Sequence, residues 1–111
     1  MKTEQPVLIT TITAAGTITK NRFVYYNNIQ GALNTFLLGV AVDDAVAGEE
    51  VGVIVSGIAL VEVNEALTRG QKVVSDDNGK AFNTAADLSY YRGFALDDSS
   101  ADGDFIRVLL T

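Results

Sequence analysis

The sequence predicts an all-β protein, a small barrel or sandwich of about nine short strands. Val, Ile, Thr, Phe and Tyr supply 39 of the 111 residues, and these side chains favour a pleated, half-buried surface. Apolar runs are short and end at Gly, Asn or Asp, and helical stripes are absent apart from one short candidate. The length fits one β domain over residues 16–111, preceded by an N-terminal arm over residues 1–15.

The strands of the first half are bounded by residues that break or turn a strand. Pro6 precedes a Thr-rich extended stretch, and Asn27-Asn28 closes a short aromatic strand. Gly52 and Gly57 lie within a strand region, where glycine marks a bulge or a bend. The strands predicted here are Val7–Ile12, Phe23–Tyr26, Leu37–Val42, Val51–Val55 and Ile58–Val63.

The second half begins with the one helical candidate. Asn64 is a suitable N-cap for a single turn, Glu65–Arg69, which Gly70 ends. The segment Asp76-Asp77-Asn78-Gly79 predicts a hairpin, because Asn and Gly tolerate positive φ. The strands predicted here are Lys72–Ser75, Lys80–Phe82, Tyr90–Leu96 and Phe105–Leu110.

An internal repeat relates Leu38–Val51 to Arg92–Ile106. Each copy is predicted to form a strand, an acidic turn and a return strand, so the pattern indicates a duplicated supersecondary unit. Two copies are too few for a solenoid. The matching residues are Gly39, Ala41, Asp43, Asp44 and Ala47 with Gly93, Ala95, Asp97, Asp98 and Ala101, and then Gly48-Glu49 with Gly103-Asp104.

Composition excludes several classes of function. The chain has no Cys and no His, so zinc fingers, Cys–His nucleophiles, Ser–His–Asp triads and the usual haem ligands are excluded. A net charge of −6 argues against binding nucleic acid through its phosphates. The N-terminus does not have the pattern of a signal peptide, and no apolar run is long enough to cross a membrane. The apolar content of 48% favours an oligomer that hides part of this surface.

Acidic turns carry the residue types of a metal or catalytic site. Asp98-x-Ser100-x-Asp102-Gly103 matches the first half of a calcium loop, but Leu109 stands where the bidentate Glu is required. Four carboxylate pairs have the composition of a glycosidase site, but a short chain without Trp supplies little cleft wall. We therefore expect solvated hairpin turns, and no catalytic residue, metal or cofactor. The pairs are Asp43/Asp44, Glu49/Glu50, Asp76/Asp77 and Asp97/Asp98.

Two further features are candidates for an interface. In Tyr25-Tyr26 and Tyr90-Tyr91, adjacent strand residues point to opposite faces, so each pair places one ring outward. Outward tyrosines suit a protein interface, and packing at the edge of the core is the alternative. The N-terminal stretch of residues 1–15 suits either strand addition to another chain or the first strand of the domain's own sheet.

The order of short motifs resembles that of the capsid cement, or head decoration, proteins of tailed phages. The resemblance covers residues 36–111. Its motifs are Leu38-Gly39-Val40-Ala41, Ala47-Gly48-Glu49-Glu50-Val51-Gly52-Val53, Gly57-Ile58-Ala59-Leu60-Val61, Ala66-Leu67-x-Arg69-Gly70-Gln71-Lys72-Val73, Gly93-Phe94-Ala95-Leu96, Ala101-x-Gly103-Asp104 and Ile106-Arg107-Val108-Leu109-Leu110.

The resemblance implies a β-tulip-like structural protein of the virion rather than an enzyme. It implies a homotrimer that binds the major capsid protein on the outer surface of the expanded head and stabilises the shell, after synthesis in the host cytoplasm. It also implies a docking role for the N-terminal arm, within residues 3–13. The arm residues expected to bind the capsid are Thr3, Glu4, Gln5, Pro6, Val7, Leu8, Ile9 and Thr10.

The alternative is a small β-rich module that binds a ligand such as a carbohydrate. The predicted helical turn and the hairpin after it are similar to small β-clip domains. A small inhibitor that presents an acidic face is a third option. A decoration protein should be a trimer that binds expanded heads, whereas a module should bind saccharide as an isolated monomer.

Overall fold

Nine β-strands form the regular structure of residues 3–85 and 88–111, the ranges that the computed structural model describes. No helix occurs within those ranges, so the all-β class is confirmed. The strands are β1 (Gln5–Thr13), β2 (Phe23–Tyr25), β3 (Ile29–Gln30), β4 (Leu37–Ala41), β5 (Glu50–Glu62), β6 (Lys72–Ser75), β7 (Ala81–Phe82), β8 (Gly93–Ala95) and β9 (Phe105–Leu110).

The sheet is organised around the long strand β5. Hydrogen-bonded neighbours follow the order β3-β2-β4-β5-β9-β8-β6-β7, and β1 also pairs with β5. Residues 50–58 of β5 pair with β1, and residues 57–62 pair with β9, both in antiparallel register. The strands curl into a half-barrel, which agrees with the barrel of the prediction.

The sequence predicted two strands, Val51–Val55 and Ile58–Val63. Gly57 lies between them and allows β5 to continue as one strand. Its φ of +102° lies in the region that favours glycine, and a Cβ there would lie 2.5 Å from the carbonyl oxygen of Gln5. The register of β1 against β5 shifts between Pro6 and Leu8, opposite this glycine. Gly57 therefore lies opposite a bulge in β1, within the continuous strand β5.

The core is built from alternating strand residues. In β9, Ile106, Val108 and Leu110 are buried, whereas Phe105 and Leu109 are exposed. Burial of each such aliphatic or aromatic side chain stabilises the fold by about 1.5–3 kcal/mol. The larger cluster contains Phe23, Leu37, Val40, Ile54, Ala59, Val61, Val63, Leu67, Val73, Ala81, Ala95, Ile106, Val108 and Leu110, and the smaller one Ala14, Ile18, Val24, Ala41, Ala45, Val51 and Val53.

The internal repeat predicted from sequence recurs as a pattern of hydrogen bonds. Asp44 Oδ1 accepts from the backbone N–H of Lys20 at 2.8 Å, and Asp98 Oδ1 accepts from that of Arg69 at 2.8 Å. Both copies also place a glycine where two strands approach closely. A Cβ on Gly39 or on Gly93 would lie 2.0 Å or 2.3 Å from a carbonyl oxygen of the neighbouring strand. The matched residues thus have matched roles.

The repeat extends beyond the segments that the sequence shows. Ile18 and Ala45 exchange two backbone hydrogen bonds, and Leu67 and Ser99 exchange two in the same way. The pairing of β1 with residues 50–58 likewise has its counterpart in the pairing of β5 with β9. The first copy therefore begins at β1, and β5 ends the first copy and begins the second.

The helical turn predicted over Glu65–Arg69 does not form. The Asn64 side chain donates to Asp76 Oδ2 at 2.7 Å instead of capping a helix. The Leu67 N–H bonds to Ser99, so the backbone of this segment is satisfied by a neighbouring loop. Tertiary hydrogen bonds have replaced the local ones, and residues 64–70 form bends and a turn.

The hairpin predicted at Asp76–Gly79 is confirmed. Strands β6 and β7 pair across it, and Gly79 has a φ of +78°. Asp76 Oδ1 accepts from the backbone N–H groups of Asn78 and Lys80 at 2.8 and 2.9 Å, which fixes the turn.

Candidate interaction surfaces

Strand β1 carries the residues predicted as a docking arm, apart from Thr3 and Glu4 just before it. Val7, Leu8 and Ile9 are 78%, 56% and 49% exposed. The register of β1 against β5 shifts on both sides of Leu8, and the three side chains at this irregularity are all exposed. Three consecutive exposed aliphatic residues form a patch of the kind that marks an interface.

The two edges of β1 differ in their pairing with other strands. Within the described residues, β1 pairs with β5 and with no other strand, so one edge has no strand partner. The start of β1 is held by Glu4, whose Oε2 accepts from the Leu60 N–H at 2.9 Å. β1 is therefore an ordered strand of the sheet and also an edge to which another strand can be added.

Three of the four predicted tyrosines lie together. Tyr25, Tyr26 and Tyr90 line one open groove of about 580 Å³ together with Phe36. Tyr25 is half-buried against the core and Tyr26 is 67% exposed, which agrees with one ring in and one out. Sequence reasoning missed Phe36, because this 69% exposed ring lies in a loop that only the fold brings beside the tyrosines.

The prediction for Tyr90-Tyr91 as strand residues is wrong. Both precede β8, and the N–H of Tyr91 bonds to the Leu88 carbonyl at 3.1 Å in a turn. Tyr91 does not line the groove; its ring packs edge-on against that of Phe94, with ring centroids 5.6 Å apart. The Lys72 Nζ lies 4.7 Å from the centroid of the Tyr91 ring, within the range of a cation–π contact.

A second apolar surface lies on the outer face of β5, β8 and β9. Leu109 of β9 is directly opposite Ile58 of β5 and Phe94 of β8, and paired residues share a face. Leu109 is exposed, while Ile58 and Phe94 are half-buried. Tyr91, which packs on Phe94, extends this surface. We call these four residues the outer apolar face.

The acidic turns use their carboxylates to hold backbone. Asp104 Oδ2 accepts from the N–H groups of Ser100 and Ala101 at 2.9 and 3.2 Å. Asp97 receives two hydrogen bonds from the Arg107 guanidinium, at 3.1 and 2.9 Å. Within the described residues, no three acidic groups are arranged to hold a metal ion. The geometry therefore stabilises the turns.

An ionic cluster joins the two copies of the repeat. Glu62 lies 3.2 Å from the Arg22 Nε and 3.4 Å from the Lys80 Nζ, and the latter lies 2.9 Å from Asp102. The hydrogen bond to Asp102, and then the contact with Glu62, raise the pKa of Lys80 above its ordinary value. The cluster is partly buried, apart from Asp102, and links β5 to the turn before β9.

The fold has a counterpart among solved structures. It is similar to the crystal structure of the head fiber gp8.5 N base in bacteriophage phi29, with a TM-score of 0.74 and 20% identity. That match covers 94% of this chain and 93% of the other, and establishes a shared fold. None of the curated proteins matches the sequence. Among the described residues, no helix is long and apolar enough to cross a membrane.

The family follows from the sequence itself. The model of the phage cement protein family matches residues 1–110. The chain belongs to this family, and is therefore a structural protein associated with the phage head. The match includes residues 1–35, so family membership extends through β1 as well as the part where the resemblance was found by motif.

Proposed function

We propose that the protein is a capsid decoration protein, which binds the outer surface of an expanded phage head as a homotrimer and stabilises it. The observation that carries the proposal is β1, an exposed apolar strand with one edge unpaired by a strand, in a chain of the phage cement family. The protein is made in the host cytoplasm, acts without a cofactor and performs no catalysis.

The proposed docking element is the segment of Thr3–Thr10, with Val7, Leu8 and Ile9 as its apolar contacts. A strand edge binds another chain by main-chain hydrogen bonds, and alternate side chains fit pockets on both sides. The three exposed apolar side chains of β1 suit a partner that offers apolar pockets beside its own strand edge. The proposed partner is the major capsid protein.

The outer apolar face is the proposed trimer contact. Homo-oligomers commonly bury such a face against its own copies, which accounts for the apolar excess of the composition. A trimer presents three β1 strands, so after the first engages, the others bind at high effective concentration. Ligands that bind only the expanded shell stabilise that state by linkage. The net charge of −6 disfavours contact with packaged DNA.

Co-sedimentation with phage heads tests the docking element. We expect the protein to be a trimer in light scattering, and to sediment with expanded heads but not with compact precursors. The double variant Val7→Ser/Leu8→Ser should bind expanded heads at least about tenfold more weakly, a loss of about 1.4 kcal/mol. Its melting temperature should be unchanged, because both side chains are already exposed.

Val46→Ser is the matched control, since it removes an exposed aliphatic side chain from a loop outside β1. It should leave head binding unchanged. Full occupancy of expanded heads by the double variant would show that β1 is not the docking element. A monomer that binds heads with full affinity would refute the trimer.

A further inference from the structure

The tyrosine groove has features that neither head binding nor the core explains. Tyr26 and Phe36 are among the most exposed aromatic rings of the described chain, and both border the groove. The Phe36 and Tyr90 rings are 4.8 Å apart and inclined by 57°, so Tyr90 supports Phe36 from one side. The groove thus presents ring faces to solvent on a fixed base.

Polar groups lie beside these rings. Asn34 is at the tip of the loop between β3 and β4, with a φ of +57°, and its carboxamide has no hydrogen-bond partner within the described residues. Thr35 is already engaged, because its hydroxyl donates to the Ala32 carbonyl at 2.6 Å. The Asn34 carboxamide, a donor and an acceptor, therefore borders the aromatic surface.

Charge is absent from the groove. None of its six lining residues is Asp, Glu, Lys or Arg, although the chain carries 14 acidic and 8 basic side chains. Arg92, a cation of the adjoining pocket, donates to backbone carbonyls of Leu37, Leu38, Val55 and Thr111. A phosphate or carboxylate would find no dedicated cation, so the groove fits a neutral ligand.

We propose that this groove binds a neutral saccharide. A sugar ring has an apolar C–H face, which packs on an aromatic ring, and hydroxyls that both donate and accept hydrogen bonds. Phe36 and Tyr26 supply the packing surface, and Asn34 with the phenol hydroxyls supplies the polar contacts. The volume of about 580 Å³ falls within the range of ligand sites.

This binding activity is separate from head decoration. It uses the groove, whereas docking uses β1 and trimer formation uses the outer apolar face. Val46 is exposed and belongs to neither the groove nor that face, which makes it a suitable control. The test uses the isolated full-length chain, so its result is independent of head binding.

Chemical-shift titration of the ¹⁵N-labelled protein tests the proposal. Cellohexaose, maltohexaose and chitohexaose are added separately, and at least one should bind with a dissociation constant of about 1 mM or tighter. Its shifts should be confined to residues around the groove. Phe36→Ala and Tyr26→Ala should each weaken binding at least tenfold, and Val46→Ala should not. Both rings are exposed, so the variants should remain folded.

Four outcomes would overturn the proposal. The first is the absence of shifts with all three saccharides at concentrations well above the expected dissociation constant. The second is binding that survives both groove variants. The third is a change of oligomeric state in Phe36→Ala, which would make the groove a contact between copies. A proline-rich peptide that shifts the groove residues when no saccharide does would likewise assign the groove to a different ligand.

Discussion

Arg92 links the backbone of β4, the middle of β5 and the residue that follows β9. Its Nε donates to the Leu37 carbonyl at 3.1 Å, and its Nη2 donates to Leu38 at 3.1 Å and to Val55 at 2.5 Å. Its Nη1 donates to the Thr111 carbonyl at 2.7 Å. Burial lowers the pKa of Arg92 from its ordinary value. One side chain therefore satisfies carbonyls at the start of β4, within β5 and after β9.

Arg92→Leu removes these bonds and keeps an apolar side chain of moderate size. Leucine is also what the first copy of the repeat has, since Leu38 is the counterpart of Arg92. A hydrogen bond to a charged group contributes about 1.5–3 kcal/mol. Arg92 is half-buried, so water replaces part of the lost hydrogen bonding, and removing a partly buried charge offsets part of the loss. We expect a decrease of about 3 kcal/mol in the free energy of unfolding.

Urea denaturation measures this change, because a shift of the midpoint at constant m-value reports stability alone. The melting temperature should fall by about 10 °C or more. Arg69→Leu is the control: Arg69 is exposed and donates to one carbonyl, that of Leu96. It should cost less than about 1 kcal/mol. Equal stability losses in the two variants would refute the stabilising role assigned to the hydrogen bonds of Arg92.

Three other substitutions test the packing and electrostatics. Gly93→Ala should destabilise the fold by about 1–3 kcal/mol, seen in thermal melts, because its Cβ would lie 2.3 Å from the Leu109 carbonyl oxygen. Asp98→Ala should cost about 1 kcal/mol by loss of one hydrogen bond to a loop N–H, measured in urea. At pH values below 10.5, Lys80→Met should lower the urea midpoint. This difference should disappear as the pH rises above the raised folded-state pKa of Lys80, because only the protonated amine stabilises the folded state through Asp102 and Glu62.

Short-range chemistry accounts for what the sequence predicted well. Short apolar runs placed β4, β6 and β9 to within a residue or two, and Asn78-Gly79 identified the β6–β7 hairpin. β3 was not predicted, since two residues, Ile29–Gln30, are too few for a periodic pattern. The strand predicted at Tyr90–Leu96 shortens to β8, because its first residues form a turn.

The candidate sites depended more on tertiary structure. The sequence identified Val7, Leu8 and Ile9 as part of one segment, but not that this segment is paired on one edge while its apolar side chains stay exposed. The groove was beyond sequence reasoning, because Phe36 and Tyr90 are 54 positions apart and meet only when the sheet curls. The false helical turn at residues 64–70 has the same origin, since its backbone partners are distant in the chain.

The sharing of β5 by the two copies has a consequence for how the chain folds. Neither copy has a complete sheet without this strand, so a partly unfolded state with one intact half should be poorly populated. Two of the strands that pair with β5, namely β1 and β9, are distant from each other in the sequence, and such non-local pairings make folding slow. During synthesis, residues 57–62 of β5 have no β9 to pair with until that strand has left the ribosome. The native sheet is therefore completed only after translation of the final strand.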